Sequence, residues 1–197
     1  LCESMLGEAG HNPELVKYLK RQTEGNVFFL VETVRALAEQ AGELNRIGHQ
    51  ALPEEILTGG IERIIQRRLL QVPAEFSPLL DLAAVAGRRL DLALLERSSG
   101  RRDLAGFLMV CANAMVLEAQ QGDWQFSHDK IREWIITQQT EAETRRLHQL
   151  VAETITALYP EDASHNAALG YHWDKADFPE KAYGYYMKAG AAAARRT

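Results

Sequence analysis

Along most of this 197-residue chain the apolar side chains recur every three or four positions, and only once does the period change. Between Met115 and Phe126 the helical rhythm stops. Met115, Val116 and Leu117 read as extended, Gly122 lies in a turn, and Trp124, Gln125 and Phe126 alternate with period two. A single short hairpin set among helices constrains the fold strongly. The sequence predicts helices on both sides of it: about 73–86, a short one through Leu94 and Leu95, and 102–113 before; 129–139 and 141–159 after. Three helices followed by a two-stranded hairpin is the order of a winged helix-turn-helix module. Pro78 is awkward in the first of these, and either starts it with Ser77 as cap or kinks it.

Upstream, Pro13 to Gln22 reads as a short helix capped by Asn12, with Leu15, Val16 and Leu19 on one face. A second helix runs from about Val27 to Ala41 and stops at Gly42. The stretch from Glu43 to Leu52 is polar, with room for a short edge strand at Leu44 to Ile47. Pro53 opens a helical stretch that Gly59-Gly60 interrupts, and Ile61, Ile64, Ile65 and Leu69 restore the period.

Downstream, two helices of about 164–173 and 179–195 form a hairpin around Asp174-Lys175-Ala176-Asp177. Gly170, Ala182 and Ala189 are small enough for close helix approach, with Trp173 and Tyr186 as the rings beside them. Their spacing resembles a tetratricopeptide repeat, a helix pair of about 34 residues that cannot bury its own apolar face. The expected fold class is mainly α: a helical lid remnant, a winged helix-turn-helix with a small β-hairpin, then TPR-like α-hairpins. The expected domains are 1–58, 59–139 and 140–197.

The search for chemistry is mostly negative. None of the 14 glycines precedes a lysine, so no phosphate-binding G-x-x-x-x-G-K-[ST] loop is present. There is no G-x-S-x-G elbow or H-E-x-x-H pair. The six histidines have no partners at helical metal-ligand spacing; His165 and His172 are seven apart but lack a third ligand. Cys2 and Cys111 are too few and too far apart for a disulfide framework, which suits a reducing, cytosolic setting. No apolar run approaches the length of a membrane span. The net charge of -5 opposes a basic nucleic-acid footprint. A DNA-binding winged helix remains the rival reading, since Arg88, Arg89, Arg101 and Arg102 could contact phosphates. Yet from Gly87 to Ser127 five arginines meet five carboxylates, and the reading helix would expose little beyond Asp103, Ala105, Gly106, Met109 and Ala112. A passive TPR scaffold is the third reading.

Two segments stand out. Thr23-Glu24-Gly25-Asn26-Val27-Phe28-Phe29-Leu30-Val31-Glu32 opens a helix, where free backbone N–H groups could face a phosphate or ring. Phe126-Ser127-His128-Asp129-Lys130-Ile131-Arg132-Glu133 follows the hairpin and sets an imidazole and a carboxylate at a helix start. In that order, with a winged helix between and repeats after, the chain resembles the signal-transduction ATPases with numerous domains (STAND ATPases). The first segment is similar to the family's GNPFFLEE stretch at the end of the helical lid. The second is similar to its F-x-H-D-x-x-x-E stretch, related to the Met-His-Asp motif of plant immune receptors.

The resemblance implies nucleotide-binding roles for Val27, His128 and Asp129, and no catalytic or metal-binding residue. His128 would reach the β-phosphate of ADP and latch the resting state, Asp129 would orient that latch, and Val27 would lie near the adenine. Val27 stands where the family usually has proline. ADP or ATP with Mg is implied only for an intact parent, with no cofactor for this chain alone and no enzymatic activity of its own. The implied partners are an upstream nucleotide-binding domain of the same protein and a protein bound by the repeats. Nucleic acid is disfavoured and no membrane is implied. The phosphate loop would then precede Leu1, making the chain part of a longer protein.

Overall fold

A computed structural model describes residues 6–23, 27–41, 60–160 and 162–195. The expected edge strand at Leu44 to Ile47, the helical start at Pro53, the Glu24-Gly25-Asn26 turn and the boundary at residue 58 lie outside them. Within the described residues the chain is mainly helical, with one small two-stranded antiparallel sheet. It divides between Arg67 and Arg68 into two units.

In the first unit, a 3-10 turn (Gly7–His11) leads into α1 (Pro13–Thr23) and then α2 (Val27–Ala41). Asn12 starts α1: its side-chain oxygen accepts the Glu14 N–H at 3.0 Å, and Pro13 occupies a position whose N–H has no helical acceptor. Leu15 and Leu19, one turn apart, are fully buried with Leu6, Tyr18, Leu30, Val34 and Leu37. The next helix, α3 (Gly60–Leu69), reaches the division.

The second unit continues with α4 (Ser77–Ala86), α5 (Leu92–Ser99) and α6 (Ala105–Asn113). Its two strands, β1 (Leu117–Gln120) and β2 (Asp123–Phe126), precede α7 (Asp129–Gln138) and α8 (Glu141–Leu158). It ends with α9 (Asn166–Lys175) and α10 (Pro179–Ala194). Pro78 falls in the first turn of α4, where its missing N–H is harmless, so it starts the helix and does not kink it. Ser77 is the first helical residue and not the side-chain cap, a role that no side chain takes here. Asp91 caps α5, accepting the Leu94 N–H at 3.0 Å.

Two expectations fail locally, for reasons the hydrogen bonds make plain. The helix expected from Arg102 begins at Ala105, because the Asp103 carboxylate takes the Ala105 N–H at 2.8 Å in a local turn. Met115 is not extended. It adopts φ 54°, and Val116 N–H bonds to Cys111 O (2.8 Å) while Met115 N–H bonds to Ala112 O (2.9 Å). That paired pattern is a Schellman stop for α6, with methionine where glycine is usual. The Met115 carbonyl accepts Arg68 Nη1 at 2.8 Å and Ser127 Oγ at 2.7 Å, which fixes the left-handed residue in place.

The ribbon pairs Leu117 with Phe126 and Gln120 with Asp123. Gln121 and Gly122 both have positive φ (55° and 93°), the two-residue geometry that matches strand twist. A third segment joins its edge: Leu90 N–H bonds to Trp124 O (2.8 Å) and Phe126 N–H to Arg88 O (3.0 Å). β1 lies on α6 and β2 on α7, and Phe107, Val116, Leu117, Phe126 and Ile131 are fully buried.

α8 is the spine of this unit. A reciprocal cap starts it: Thr140 Oγ1 accepts the Glu143 N–H, and Glu143 Oε2 accepts the Thr140 N–H. It packs on α4, α5 and α9. Its inner stripe is Leu147, His148, Val151, Ala152 and Ile155, whereas Leu150 and Leu158 are only half-buried. Polar ties reinforce the seam with α5: Ser98 Oγ donates to Thr154 Oγ1 and Tyr159 Oη to Asp91 Oδ2, both at 2.8 Å. α9 and α10 then pack as a hairpin. A Cβ on Gly170 would stand 2.6 Å from the Tyr186 ring, so only glycine admits that ring so closely. No single helix among the described residues is long and apolar enough to cross a membrane.

Candidate functional site

The turn from β2 into α7 gathers the polar side chains singled out by sequence. Phe126 is anchored in the core and ends the ribbon. His128, two residues on, has extended backbone and caps α7, its Nδ1 accepting the Lys130 N–H at 3.1 Å. An imidazole that accepts through Nδ1 carries its proton on Nε2, so the ring is neutral here and Nε2–H is its donor. The ring's pKa is lowered accordingly: partial burial is the main cause, and the Arg88 and Lys130 charges add to it. Asp129 and Glu133 pull the other way and are outweighed.

Asp129 occupies the first turn of α7, where a carboxylate meets the positive end of the helix dipole. Arg88 Nη1 donates to its Oδ2 at 3.1 Å. Arg88 was not expected here. It lies 41 residues upstream, and the same residue's carbonyl receives the Phe126 N–H, so one backbone pairing delivers the guanidinium. Lys130 and Glu133 form a second ion pair at 2.7 Å across one helical turn. His128 and Asp129 are adjacent in this turn, with Arg88 beside them. Val27 is the first residue of α2, 55% exposed, and belongs to the first unit, whereas His128 and Asp129 belong to the second.

A second histidine site was missed entirely. His148 of α8 and His172 of α9 are buried with Nδ1 atoms 2.8 Å apart. The ring of Tyr171 stands edge-on to His148, with centroids 5.5 Å apart. Both imidazole pKa values are lowered, chiefly by burial; Lys175 and Arg132 add to this at His148, and the His148 ring and Arg132 at His172. The sequence offered His172 only a seven-residue spacing from His165. In the structure His165 instead stacks on Tyr159, with centroids 4.4 Å apart, and bonds to Asp162. One signal was available: His148 lies one turn from Ala152 and two from Ile155, on the buried stripe.

Among the described residues no three His, Cys, Asp or Glu side chains converge as a metal site. Burial pushes the Cys111 thiol up to about 12, which makes it an inert packing residue. Of the residues that the rival DNA-binding reading would expose, Asp103 precedes α6, Ala105, Gly106 and Met109 are exposed on it, and Ala112 is half-buried. Comparison with protein-family models, curated proteins and solved structures gives no match to this chain.

Proposed function

We propose that this chain is a non-catalytic regulatory segment of a nucleotide-switched STAND-type ATPase. In this reading residues 1–58 end the helical lid, residues 59–139 form a winged helix, and residues 140–197 begin TPR-like repeats. The winged helix closes over ADP held by an upstream phosphate-loop domain of the same protein, and Mg accompanies the nucleotide there. The repeats sense or bind a protein partner.

The observation that carries the reading is the ribbon-to-α7 turn. Nδ1 of His128 is engaged by its own helix, which orients the ring and makes Nε2 its protonated nitrogen. The start of a ten-residue helix adds positive potential around it, and the Arg88 guanidinium is paired with Asp129 beside it. The pairing of Arg88–Leu90 with β2, after α4 and before α5 and α6, supports the winged-helix part. The approach of Tyr186 to Gly170 supports the repeat part.

ADP shifts such a switch only through its different affinity for the closed and open states. A hydrogen bond to a charged group contributes about 1.5–3 kcal/mol, or roughly 10- to 150-fold in affinity. His128→Asn keeps a side-chain cap on α7 and removes the ring. In the full-length protein it should speed release of a fluorescent ADP analogue by about tenfold or more and raise basal output. An ADP off-rate equal to that of the native protein would sink the proposal.

A further inference from the structure

The His148–His172 pair has a property that neither the fold nor the nucleotide reading requires. The two Nδ1 atoms are 2.8 Å apart, close enough for only one hydrogen between them. One ring therefore donates and the other accepts, and burial favours the form in which both are neutral. A proton added at the accepting Nδ1 sets two N–H groups head to head, and one added at the donor ring's Nε2 keeps that bond but leaves a cation inside a buried seam.

Among the described residues the charges that act on the pair are positive. Arg132 of α7 acts on both rings and Lys175 of α9 on His148, and both are positive. Many of the surrounding carboxylates are engaged elsewhere, Glu143 with Thr140 and Glu153 with Gln149 among them. Asp81 of α4 takes Gln139, and Asp91 before α5 takes Tyr159. Asp162 takes His165, and Glu141 and Asp177 take Arg145. Across α10, Tyr186 faces Asp174 and Tyr171. Among the described residues no carboxylate acts on either imidazole. The pair also spans a single seam, α8 against α9, whereas α9 and α10 hold each other through Gly170 and Tyr186.

We propose that His148 and His172 form an acid-sensitive latch that fastens the α9–α10 hairpin to α8 and releases it as a unit when the pair takes up a proton. At neutral pH the latch is closed. Release occurs below the ordinary imidazole value of 6.5, because the folded seam favours the neutral rings. The latch is independent of nucleotide.

The test is amide hydrogen exchange of the whole chain from pH 7 downward, corrected for intrinsic exchange, on the native protein and on His148→Leu/His172→Leu. In the native chain, protection of α9 and α10 should fall relative to α4–α7. Opening that takes up one proton steepens by about tenfold per pH unit. In the double variant both hydrogen-bonding partners are gone and the relative protection should stay flat with pH. Native and double-variant hairpins losing protection together overturns the latch. Should the double variant not fold, ¹⁵N spectra of the native imidazoles decide: both rings neutral until the hairpin amides open supports it. A ring that becomes charged while those amides stay protected overturns it.

Discussion

The turn at His128 and the seam at His148–His172 use the same side chain in opposite surroundings. His128 is half-buried at a helix start, with Arg88 and Lys130 on one side of the balance and Asp129 and Glu133 on the other. His148 and His172 are buried, and the charges acting on them are all positive. The first ring is held through Nδ1 by a backbone N–H of its own helix. The second pair shares its own hydrogen inside a buried seam beside positive groups, so one added proton leaves a charge there that the seam disfavours. Surroundings, more than residue type, decide whether an imidazole answers to a ligand or to pH.

The largest expected effect comes from breaking the buried pair on one side. His172→Ala strips His148 of its partner and leaves a cavity at the α8–α9 seam. An unsatisfied buried polar group costs about 1–3 kcal/mol, and the lost packing adds to that, for about 2–4 kcal/mol in urea denaturation. A loss below about 1 kcal/mol would mean that water already reaches the seam, and the contrast between the two sites would collapse. Gly170→Val comes next. Its Cβ meets the Tyr186 ring at 2.6 Å, yet that ring is partly exposed and can swing outward. Overpacking of this kind costs about 1–3 kcal/mol. Here the strain falls within the α9–α10 hairpin and not on the seam. Its acid dependence should therefore match the native chain, which separates hairpin integrity from the latch.

Much of the fold was legible because it rests on local signals. Asn12, Asp91 and Thr140 start helices through bonds spanning two or three residues, and Gly122 turns the ribbon through its own φ. Asn12 is accordingly readable as a cap, and α2 begins and ends where its apolar period says. The misreadings share a different cause. Met115 looks extended because it is apolar and next to a strand, but its conformation is set by carbonyl partners at Arg68 and Ser127. Asp103 delays α6 by competing for one N–H. Of the candidate site, His128 and Asp129 were legible as a helix start. Arg88, 41 residues away, became their neighbour only through strand pairing, which no window of sequence displays. The His148–His172 contact spans 24 residues and two helices, and its only trace was a histidine on an apolar stripe.

The smallest effect belongs to the exposed side of the comparison and is the most discriminating. His128→Ala removes a helix cap and should cost about 1 kcal/mol. His128→Asn should cost close to nothing, since asparagine accepts the same backbone N–H. The pH dependence has a definite sign. Only the neutral ring accepts the Lys130 N–H, and the folded chain favours that form, as the lowered pKa records. The cap's contribution is thus fully present above the ordinary value of 6.5 and fades as pH falls from there through the lowered folded value. Native protein and His128→Asn should therefore be equally stable at pH 8, and the native chain should fall behind as the medium is acidified. Subtracting that small loss from the larger one at the buried seam requires the His148→Leu/His172→Leu background, where acid sensitivity left over belongs to residues other than the pair. If replacing His128 by Asn in that background leaves the residual slope untouched, the cap is not titrating, and the ring at the ribbon turn is held by something other than its own helix.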